Sequence, residues 1–395
     1  MNTTTQTLPG TPMMRAIAAC VSARVPALLI GAPGQGKTAK LEAMSRSWGY
    51  YFESLTGSNR EATDFLGLPF EGQFTSPHDG SEYKVQSSLS LDWAIRLNEQ
   101  AKVRPNAGSV VLLDECNLQE DVMKAFLRVT EERIAGPDRF EDNVAVLLAM
   151  NPTHLSTGGY DLPAPFANRM IHLTWEHDHD AWTDAFLSGF ADVAYPSMDS
   201  LLGPRDTETS TRVRSAIAQF LNVHPQHRND CPENDIDAAS GPWQSIRMWT
   251  KAAQALEQLH HGDDAATRLL LRGAVGKKAA TDYMTWRDQQ DLYDPAAVLR
   301  GDVDVNWNDG RLDRLYVLTL SLRALVQATG DADQWATAMK LMAQGQAVRP
   351  DVAWQGAHGL LQVRPSDATL PRAFKDAFSE QMDRVGLTTS QSAAA

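Results

Sequence analysis

Nine consecutive residues near the start of the chain have the types and spacing of a triphosphate-binding loop. They follow the apolar run 27–30 and read Gly31, Ala32, Pro33, Gly34, Gln35, Gly36, Lys37, Thr38 and Ala39. In a Gly-x-x-x-x-Gly-Lys-Thr loop between a strand and a helix, backbone N–H groups and the positive helix end bind the β- and γ-phosphates. Lys37 adds a positive charge, and the Thr38 hydroxyl supplies an oxygen ligand for Mg²⁺. The sequence therefore predicts a nucleoside triphosphate site.

Two acidic residues, Asp114 and Glu115, directly follow a second apolar run, 110–113. Ligand sites of open α/β sheets lie at the carboxyl edge of the strands, so we expect both carboxylates beside the phosphate loop. There Asp114 would hold Mg²⁺ through a water, and Glu115 would orient and deprotonate an attacking water. The pair therefore predicts hydrolysis of the triphosphate. A polar residue at the end of the preceding strand (Glu53, Ser54 or Thr56) is a candidate to hold Glu115 inactive.

A third apolar run ends in Asn151, which is followed by Pro152. Its amide can bond the γ-phosphate or the attacking water if it lies at the same edge. Taken alone, Asn-Pro equally indicates a simple turn. The assignment of Asn151 to the site therefore depends on the sheet that surrounds it.

The elements needed to position these residues are readable from hydrophobic patterning. Helices are predicted from Pro12 to about residue 24, at 39–48 and at 91–101, and a hairpin or inserted loop within 70–90. Strands are predicted at 50–55, 109–113 and 143–150, two of them continuously apolar as expected for strands covered on both faces. Alternating strands and helices predict a parallel α/β sheet. Beyond about residue 175 only helical patterns follow, and residues 388–395 are predicted to be disordered.

Composition restricts the class of protein. The 395 residues contain 36 Lys+Arg and 49 Asp+Glu, a net charge of −13, so there is no general attraction to DNA or anionic membranes. Three widely spaced cysteines imply no disulfide framework, and no apolar run approaches the roughly 20 residues needed to span a bilayer. No secretory signal is evident either. These features predict a soluble cytoplasmic protein with two or three domains.

Together these motifs resemble the AAA+ ATPase core, and within it the MoxR-like branch, whose members work with von Willebrand A-type partner proteins. The resemblance covers residues 12–174 and continues more loosely to about 299. Residues 114–117 and 126–133 are similar to the family's Asp-Glu-x-Asn and Glu-Glu-Arg stretch, and Asn151 matches its sensor 1. Residues 158–169 are similar to the segment that carries the arginine finger. This implies that Arg169 reaches the γ-phosphate held by a neighbouring subunit, with Arg133 a secondary candidate.

Ser245-Ile246-Arg247 lies where the family has sensor 2, often Pro-Arg, which implies that Arg247 closes over the nucleotide from a helical lid. The resemblance also implies a hairpin before sensor 1 within 132–144 and a pore-facing insert within 70–90. The implied fold is a parallel-sheet P-loop core at 1–178, an all-helical lid at 179–299 and a helical extension at 300–395. Its implied cofactors are ATP and Mg²⁺.

The function implied is a ring ATPase, a hexamer, that remodels or activates a protein client, with a von Willebrand A-type protein as the candidate partner. A nucleic-acid-associated ring motor of the restriction type shares this core and is the alternative, although the acidic charge disfavours it. A nucleotide switch without hydrolysis would require one catalytic carboxylate to be missing, and both are present. No Asn-Lys-x-Asp run supplies a guanine contact, so ATP over GTP rests on the resemblance.

Overall fold

A computed structural model describes residues 8–155, 159–190, 193, 195–289 and 293–384. The predicted disordered tail at 388–395 and residue 158 of the finger-like segment lie outside the described residues. The chain forms two compact units, one made of 1–204 and 226–281, the other of 205–225 and 282–395. The first unit contains the whole parallel sheet. The domain boundaries predicted at residues 178 and 299 stay a prediction.

Nine strands are described, and their bounds are β1 Ala27–Ile30, β2 Tyr51–Thr56, β3 Pro69–Thr75, β4 Glu82–Ser88, β5 Ser109–Asp114, β6 Ile134–Ala135, β7 Asp138–Arg139, β8 Val144–Met150 and β9 Ile171–Thr174. Five of them form one parallel sheet in the order β2-β5-β8-β1-β9. The predicted parallel α/β sheet is therefore confirmed. Because all five strands run the same way, the residues that follow β1, β5 and β8 lie at one edge.

Burial explains why β5 and β8 are continuously apolar. All seven residues of β8 and the first five of β5 are buried, as expected when helices cover both faces of a parallel sheet. One face packs Trp93, Leu97 and Phe126 against the central strands. The core therefore fixes the strand ends from which the candidate site residues project.

Two antiparallel hairpins interrupt the alternation of strands and helices. β3 pairs with β4, which confirms the hairpin predicted within 70–90. β6 pairs with β7 immediately before β8, within the predicted range 132–144. The first hairpin exposes the aromatic side chains of Phe70, Phe74 and Tyr83.

Helices make up the remaining regular structure. Their bounds are α1 Pro12–Ala23, α2 Lys37–Ser47, α3 Thr63–Leu66, α4 Asp92–Lys102, α5 Glu120–Leu127, α6 Ala164–Ala167, α7 His179–Leu187, α8 Met198–Leu201, α9 Thr207–Val223, α10 Ile236–Ala239, α11 Ile246–Leu256, α12 Asp264–Gln289, α13 Pro295–Arg300, α14 Leu312–Thr329, α15 Ala332–Gly345, α16 Pro350–Leu361, α17 Arg372–Ala377 and α18 Ser379–Arg384. A π-helical turn at Arg128–Glu132 continues α5, and α12 is interrupted by Gly276 (φ +84°).

Local signals account for several helix starts. Thr11 accepts a hydrogen bond from the N–H of Met14, and Pro12 occupies the first helical position, as its fixed φ favours. Ser245 caps α11 in the same way through the N–H of Met248. Among the helices that the structure describes, none is long and apolar enough to cross a bilayer.

The second unit has a helical core of its own. Helices α14, α15 and α16 pack around the buried side chains of Leu322, Trp335 and Met339. The indole N–H of Trp335 donates to the carbonyl of Leu360 (2.8 Å), which satisfies the one polar group of this large side chain.

Candidate functional site

The phosphate loop joins β1 to α2 and uses left-handed backbone at two glycines. Gly34 has φ +78° and Gly36 has φ +68°, a region that other residues occupy only at a cost of about 1–2 kcal/mol. Gly36 immediately precedes α2, so the first N–H groups of that helix face the loop. The conformation predicted from the glycine spacing is therefore confirmed.

Gly31 is required for a different reason, which is space. A Cβ atom at Gly31 would lie 2.8 Å from the Cβ of Trp175 and 3.2 Å from its carbonyl oxygen. Trp175 follows β9, and its N–H donates to the carbonyl of Ile30 (2.7 Å). The first turn of the loop is thus pressed against the end of the neighbouring strand.

Lys37 is 8% exposed, and its ammonium group joins two of the predicted motifs. Nζ donates to the carbonyls of Gly31 (2.8 Å) and Ala32 (3.1 Å) and to Oδ1 of Asn151 (3.1 Å). Burial lowers the pKa of Lys37, while the negative charges of Asp114 and Glu115 act in the opposite direction. The structure therefore brings Asn151 to the phosphate loop.

Thr38 connects the loop to the carboxylates. Its hydroxyl donates to Oδ2 of Asp114 over 2.6 Å, and Oδ1 of Asp114 accepts the N–H of Glu115 (2.9 Å). Hydroxyl and carboxylate oxygens are the ligands that Mg²⁺ prefers. Thr38 and Asp114 therefore fit the predicted magnesium site.

Glu115 has an unusual backbone and a specific partner. Its φ is +53°, rare for a residue with a side chain, and it lies directly beyond the end of β5. The hydroxyl of Ser58 donates to Oε2 of Glu115, and the carbonyl of Ser58 in turn accepts the side-chain amide of Gln119 (2.9 Å). Ser58 and Gln119 thereby fix the direction of the Glu115 carboxylate.

The residue that contacts Glu115 was not among the three that the sequence suggested. Glu53 instead forms an ion pair with Arg96 (2.7 Å) and accepts the hydroxyl of Tyr51. Among the described contacts, neither Ser54 nor Thr56 bonds to Glu115. The suggestion is wrong because Thr56, the last residue of β2, pairs with Asp114, and the hydroxyl that reaches Glu115 belongs to Ser58 in the 3-10 turn after the strand.

A cavity of about 920 Å³ is bordered by residues that flank the phosphate loop. Its wall includes Ile30 at the end of β1, Lys40 of α2, Trp175, the start of α1 and part of α12. This volume lies within the range of cofactor pockets. The Lys40 ammonium lies 5.6 Å from the centre of the Trp175 ring, a cation–π contact between two residues of the cavity wall.

The cavity wall was missed at the sequence level. Trp175 directly follows β9, at the same carboxyl edge as the phosphate loop. The rule that placed Asp114 and Asn151 also applies to Trp175 once β9 is recognised as a strand of this sheet. For Ser58 the sequence offered no comparable signal.

Arg169 lies away from the phosphate loop of its own chain. β1 and β9 are in parallel register, with Ala27 opposite Ile171 and Ile30 opposite Thr174. The loop follows Ile30, whereas Arg169 precedes Ile171, so about 10 Å of strand separates the two edges. The Arg169 guanidinium donates to the carbonyl of Pro165, and its Nε is buried with no hydrogen-bond partner.

Arg247 lies beside the Arg169 segment. It is on the first turn of α11, and its Nη1 lies 3.4 Å from the carbonyl oxygen of Asn168. The buried Asn168 side chain bonds to the carbonyl of Trp243 (2.8 Å) and to the hydroxyl of Ser245 (2.6 Å). The structure thus brings Arg247 together with Arg169, and it does not bring Arg247 to Lys37. Their roles at a nucleotide stay predictions.

Arg133, the secondary candidate for a finger, is engaged inside its own unit. Its guanidinium donates to the carbonyls of Glu141 (2.8 Å) and Val144 (2.9 Å). Burial lowers its pKa, and the nearby Arg24 adds to this effect. These contacts tie Arg133 to the segment between β7 and β8 and to the first residue of β8.

Comparison with protein families and with curated proteins finds no match for this chain. Among solved structures, the chain is similar to a "putative ATPase" from Cytophaga hutchinsonii. The similarity has 14% sequence identity and a TM-score of 0.42, and it covers 68% of this chain and 82% of that one. The interpretation below therefore rests on the site's own geometry.

Proposed function

We propose that this chain is an ATP-hydrolysing AAA+ protein of the MoxR-like branch that assembles as a hexameric ring and remodels a protein client. The observation that carries the proposal is the meeting of three distant motifs at one sheet edge. Thr38 contacts Asp114 at 2.6 Å, and Lys37 contacts Asn151 at 3.1 Å. A triphosphate on the loop would be adjacent to a carboxylate, an amide and an ammonium group.

The chemistry assigned to this site is transfer of the γ-phosphoryl group to water. The loop N–H groups and Lys37 bind the phosphates, and Asn151 orients the γ-phosphate and the water. The water oxygen bonds to phosphorus, the bond to the ADP oxygen breaks, and Glu115 accepts the proton that the water loses. Bound Mg²⁺, held by Thr38 and Asp114, supplies positive charge to the phosphate oxygens. The base and ribose are assigned to the cavity beside Trp175.

The placement of Arg169 supports a site shared between subunits. Because Arg169 lies at the opposite sheet edge from its own phosphate loop, a role at the γ-phosphate requires a second copy of the chain. A trans arginine of this kind contributes roughly 10³- to 10⁵-fold in rate. Arg247 lies beside Arg169, so we assign it to the same neighbouring nucleotide and not to that of its own subunit.

Two variants test the hydrolytic assignment. Glu115→Gln should bind ATP with wild-type affinity and lose at least roughly 100-fold in kcat, because the amide accepts no proton. Glu120→Gln is the matched control, since this nearby carboxylate is 61% exposed and paired with Lys124. A wild-type rate for Glu115→Gln would refute the catalytic assignment.

Arg169→Ala tests the shared site and should lose activity without losing ATP binding. Arg46→Ala, which removes a guanidinium that is 73% exposed on α2, is its control. Light scattering with an ATP analogue measures ring size. Co-purification of a von Willebrand A-type protein with Glu115→Gln rings tests the client. ATPase stimulated by DNA in a salt-dependent manner would instead support the nucleic-acid motor.

A further inference from the structure

Lys251 of α11 is nearly buried and bonds to the main chain that carries Arg169. Its side chain is 14% exposed, and Nζ donates to the carbonyl oxygen of Arg169 over 2.6 Å. The second partner of Nζ is Oε2 of Glu131, at 2.9 Å. A buried ammonium group is costly unless it is paired and hydrogen-bonded. Here the bonds that satisfy it hold two different segments together.

Lys251 and Arg247 act on adjacent peptide units. They are four residues apart on α11 and therefore share a helix face. Arg247 faces the carbonyl of Asn168, and Lys251 bonds to the carbonyl of Arg169. The arginine segment is thus held to α11 at two consecutive residues, so Arg169 and Arg247 keep a fixed spacing.

Positive charge dominates this cluster. Burial lowers the pKa of Lys251, the charges of Arg247 and Arg169 lower it further, and Glu131 raises it. Among the described residues, Glu131 is the one acidic side chain that pairs with Lys251. The remaining excess of positive charge suits a surface that meets an anion.

Glu131 connects this cluster to the hydrolytic edge of the same subunit. It lies on the π-helical turn that continues α5, and together these elements span about 20 Å at 1.5 Å per residue. At the opposite end, Gln119 immediately precedes α5 and bonds to Ser58, whose hydroxyl contacts Glu115. One continuous helical element therefore begins beside the catalytic carboxylate and ends at the partner of Lys251.

We propose that Lys251 is the positioning residue of Arg169, and that its bond to Glu131 couples the arginine to α5 and so to the subunit's own hydrolytic edge. This inference rests on the proposed ring ATPase. In this arrangement Lys251 touches neither the nucleotide of its own subunit nor that of the neighbouring subunit. It fixes the main chain from which the arginine projects, so it acts on the site of the neighbouring subunit.

Steady-state ATPase of the full chain at ring-forming concentration tests the assignment. Lys251→Met should lower kcat roughly 10- to 100-fold, the equivalent of one charge-assisted hydrogen bond, with KM within twofold of wild type. Lys251→Arg should restore part of the rate, because it retains the charge and the donors. Lys124→Met is the matched control: this lysine of α5 is 66% exposed, is also paired with a glutamate and should keep wild-type kcat.

Coupling through Glu131 is tested with a double-mutant cycle. Glu131→Gln leaves Lys251 in place and keeps an acceptor, so it reports on the link even if Lys251→Met folds poorly. It should lower kcat several-fold alone and add nothing in the Lys251→Met background. Additive effects of the two substitutions would overturn the coupling.

Mixed rings separate positioning from a general structural role. Lys37→Ala subunits hold no nucleotide but carry an intact Arg169 segment, so added in excess they should restore hydrolysis at the Lys251→Met sites. Failure of this rescue would overturn the assignment. Arg169→Ala separates the two proposals: if it loses activity while Lys251→Met keeps wild-type kcat, only this inference fails. If Arg169→Ala itself has wild-type activity, the shared-site proposal fails as well.

Discussion

The buried ion pair between Arg15 and Asp263 offers the sharpest test of how the cavity wall is held. The two side chains are 6% and 1% exposed, and they form two bonds of 2.5 and 3.0 Å. Arg15 also donates to the carbonyls of Pro9 (3.2 Å) and Gly10 (2.7 Å), just before α1. Asp263 lies just before α12 and also accepts the N–H of Ala266. The pair therefore joins α1 and α12, two helices that contribute to the cavity wall.

Asp263→Asn removes the negative charge while it keeps the side-chain shape and an oxygen for the N–H of Ala266. Breaking a buried pair costs about 3–5 kcal/mol, because one charge is left in the interior without its partner. Arg15 retains two carbonyl acceptors, so we expect about 3 kcal/mol. The same substitution should raise the KM for ATP, because α1 and α12 line the cavity assigned to the base.

Urea unfolding followed by circular dichroism and tryptophan fluorescence measures this cost, with one transition fitted per unit where two are resolved. The double variant Arg15→Met with Asp263→Asn removes both charges and should be more stable than the sum of the single effects implies, by about 2 kcal/mol. Glu99→Gln is the control, because its pair with Lys102 is 62% and 52% exposed and should contribute less than about 1 kcal/mol. A cost below about 1 kcal/mol for Asp263→Asn would refute the reasoning.

Three further predictions concern single residues. Ser58→Ala removes the hydroxyl that holds Glu115, so basal kcat should rise up to about 10-fold at constant KM; an unchanged or lower rate would show that Ser58 does not restrain the carboxylate. Gly31→Ala should abolish nucleotide binding, since its Cβ would lie 2.8 Å from that of Trp175. The Cβ added by Gly34→Ala meets no atom within 4 Å, so this variant should cost only about 1–2 kcal/mol in stability. Equal effects of the two substitutions on ATP binding, measured by calorimetric titration, would contradict this. Burial lowers the pKa of His172 to about 4, against about 6.5 in the unfolded chain. The free energy of unfolding should therefore be unaffected by this group above pH 6.5 and fall by about 2 kcal/mol at pH 5, where only the unfolded chain binds the proton. His172→Gln should reduce that loss, measured by urea unfolding at pH 7 and pH 5.

The meeting of the candidate site residues was predictable from the sequence because its signals are local. The spacing of Gly31, Gly36 and Lys37 determines a loop conformation, and an apolar run that ends in Asp114 or Asn151 marks the end of a buried strand. Parallel strands then place such ends at one edge, whatever the length of chain between them. The meeting of Thr38 with Asp114, and of Lys37 with Asn151, follows from these two facts.

Tertiary structure alone decided which side chains surround that edge. Ser58 reaches Glu115 because Thr56 at the end of β2 pairs with Asp114, and the turn that follows β2 places Ser58 beside the residue after β5. Arg247 lies with Arg169 because the start of α11 packs against the segment before β9, over 70 positions away in the sequence. Contacts of this kind depend on the angle and register at which whole helices pack, and many residues of the core set those quantities together. Short sequence segments therefore determine which side chains stand at the strand ends. The helix contacts that orient those side chains form only when the chain folds.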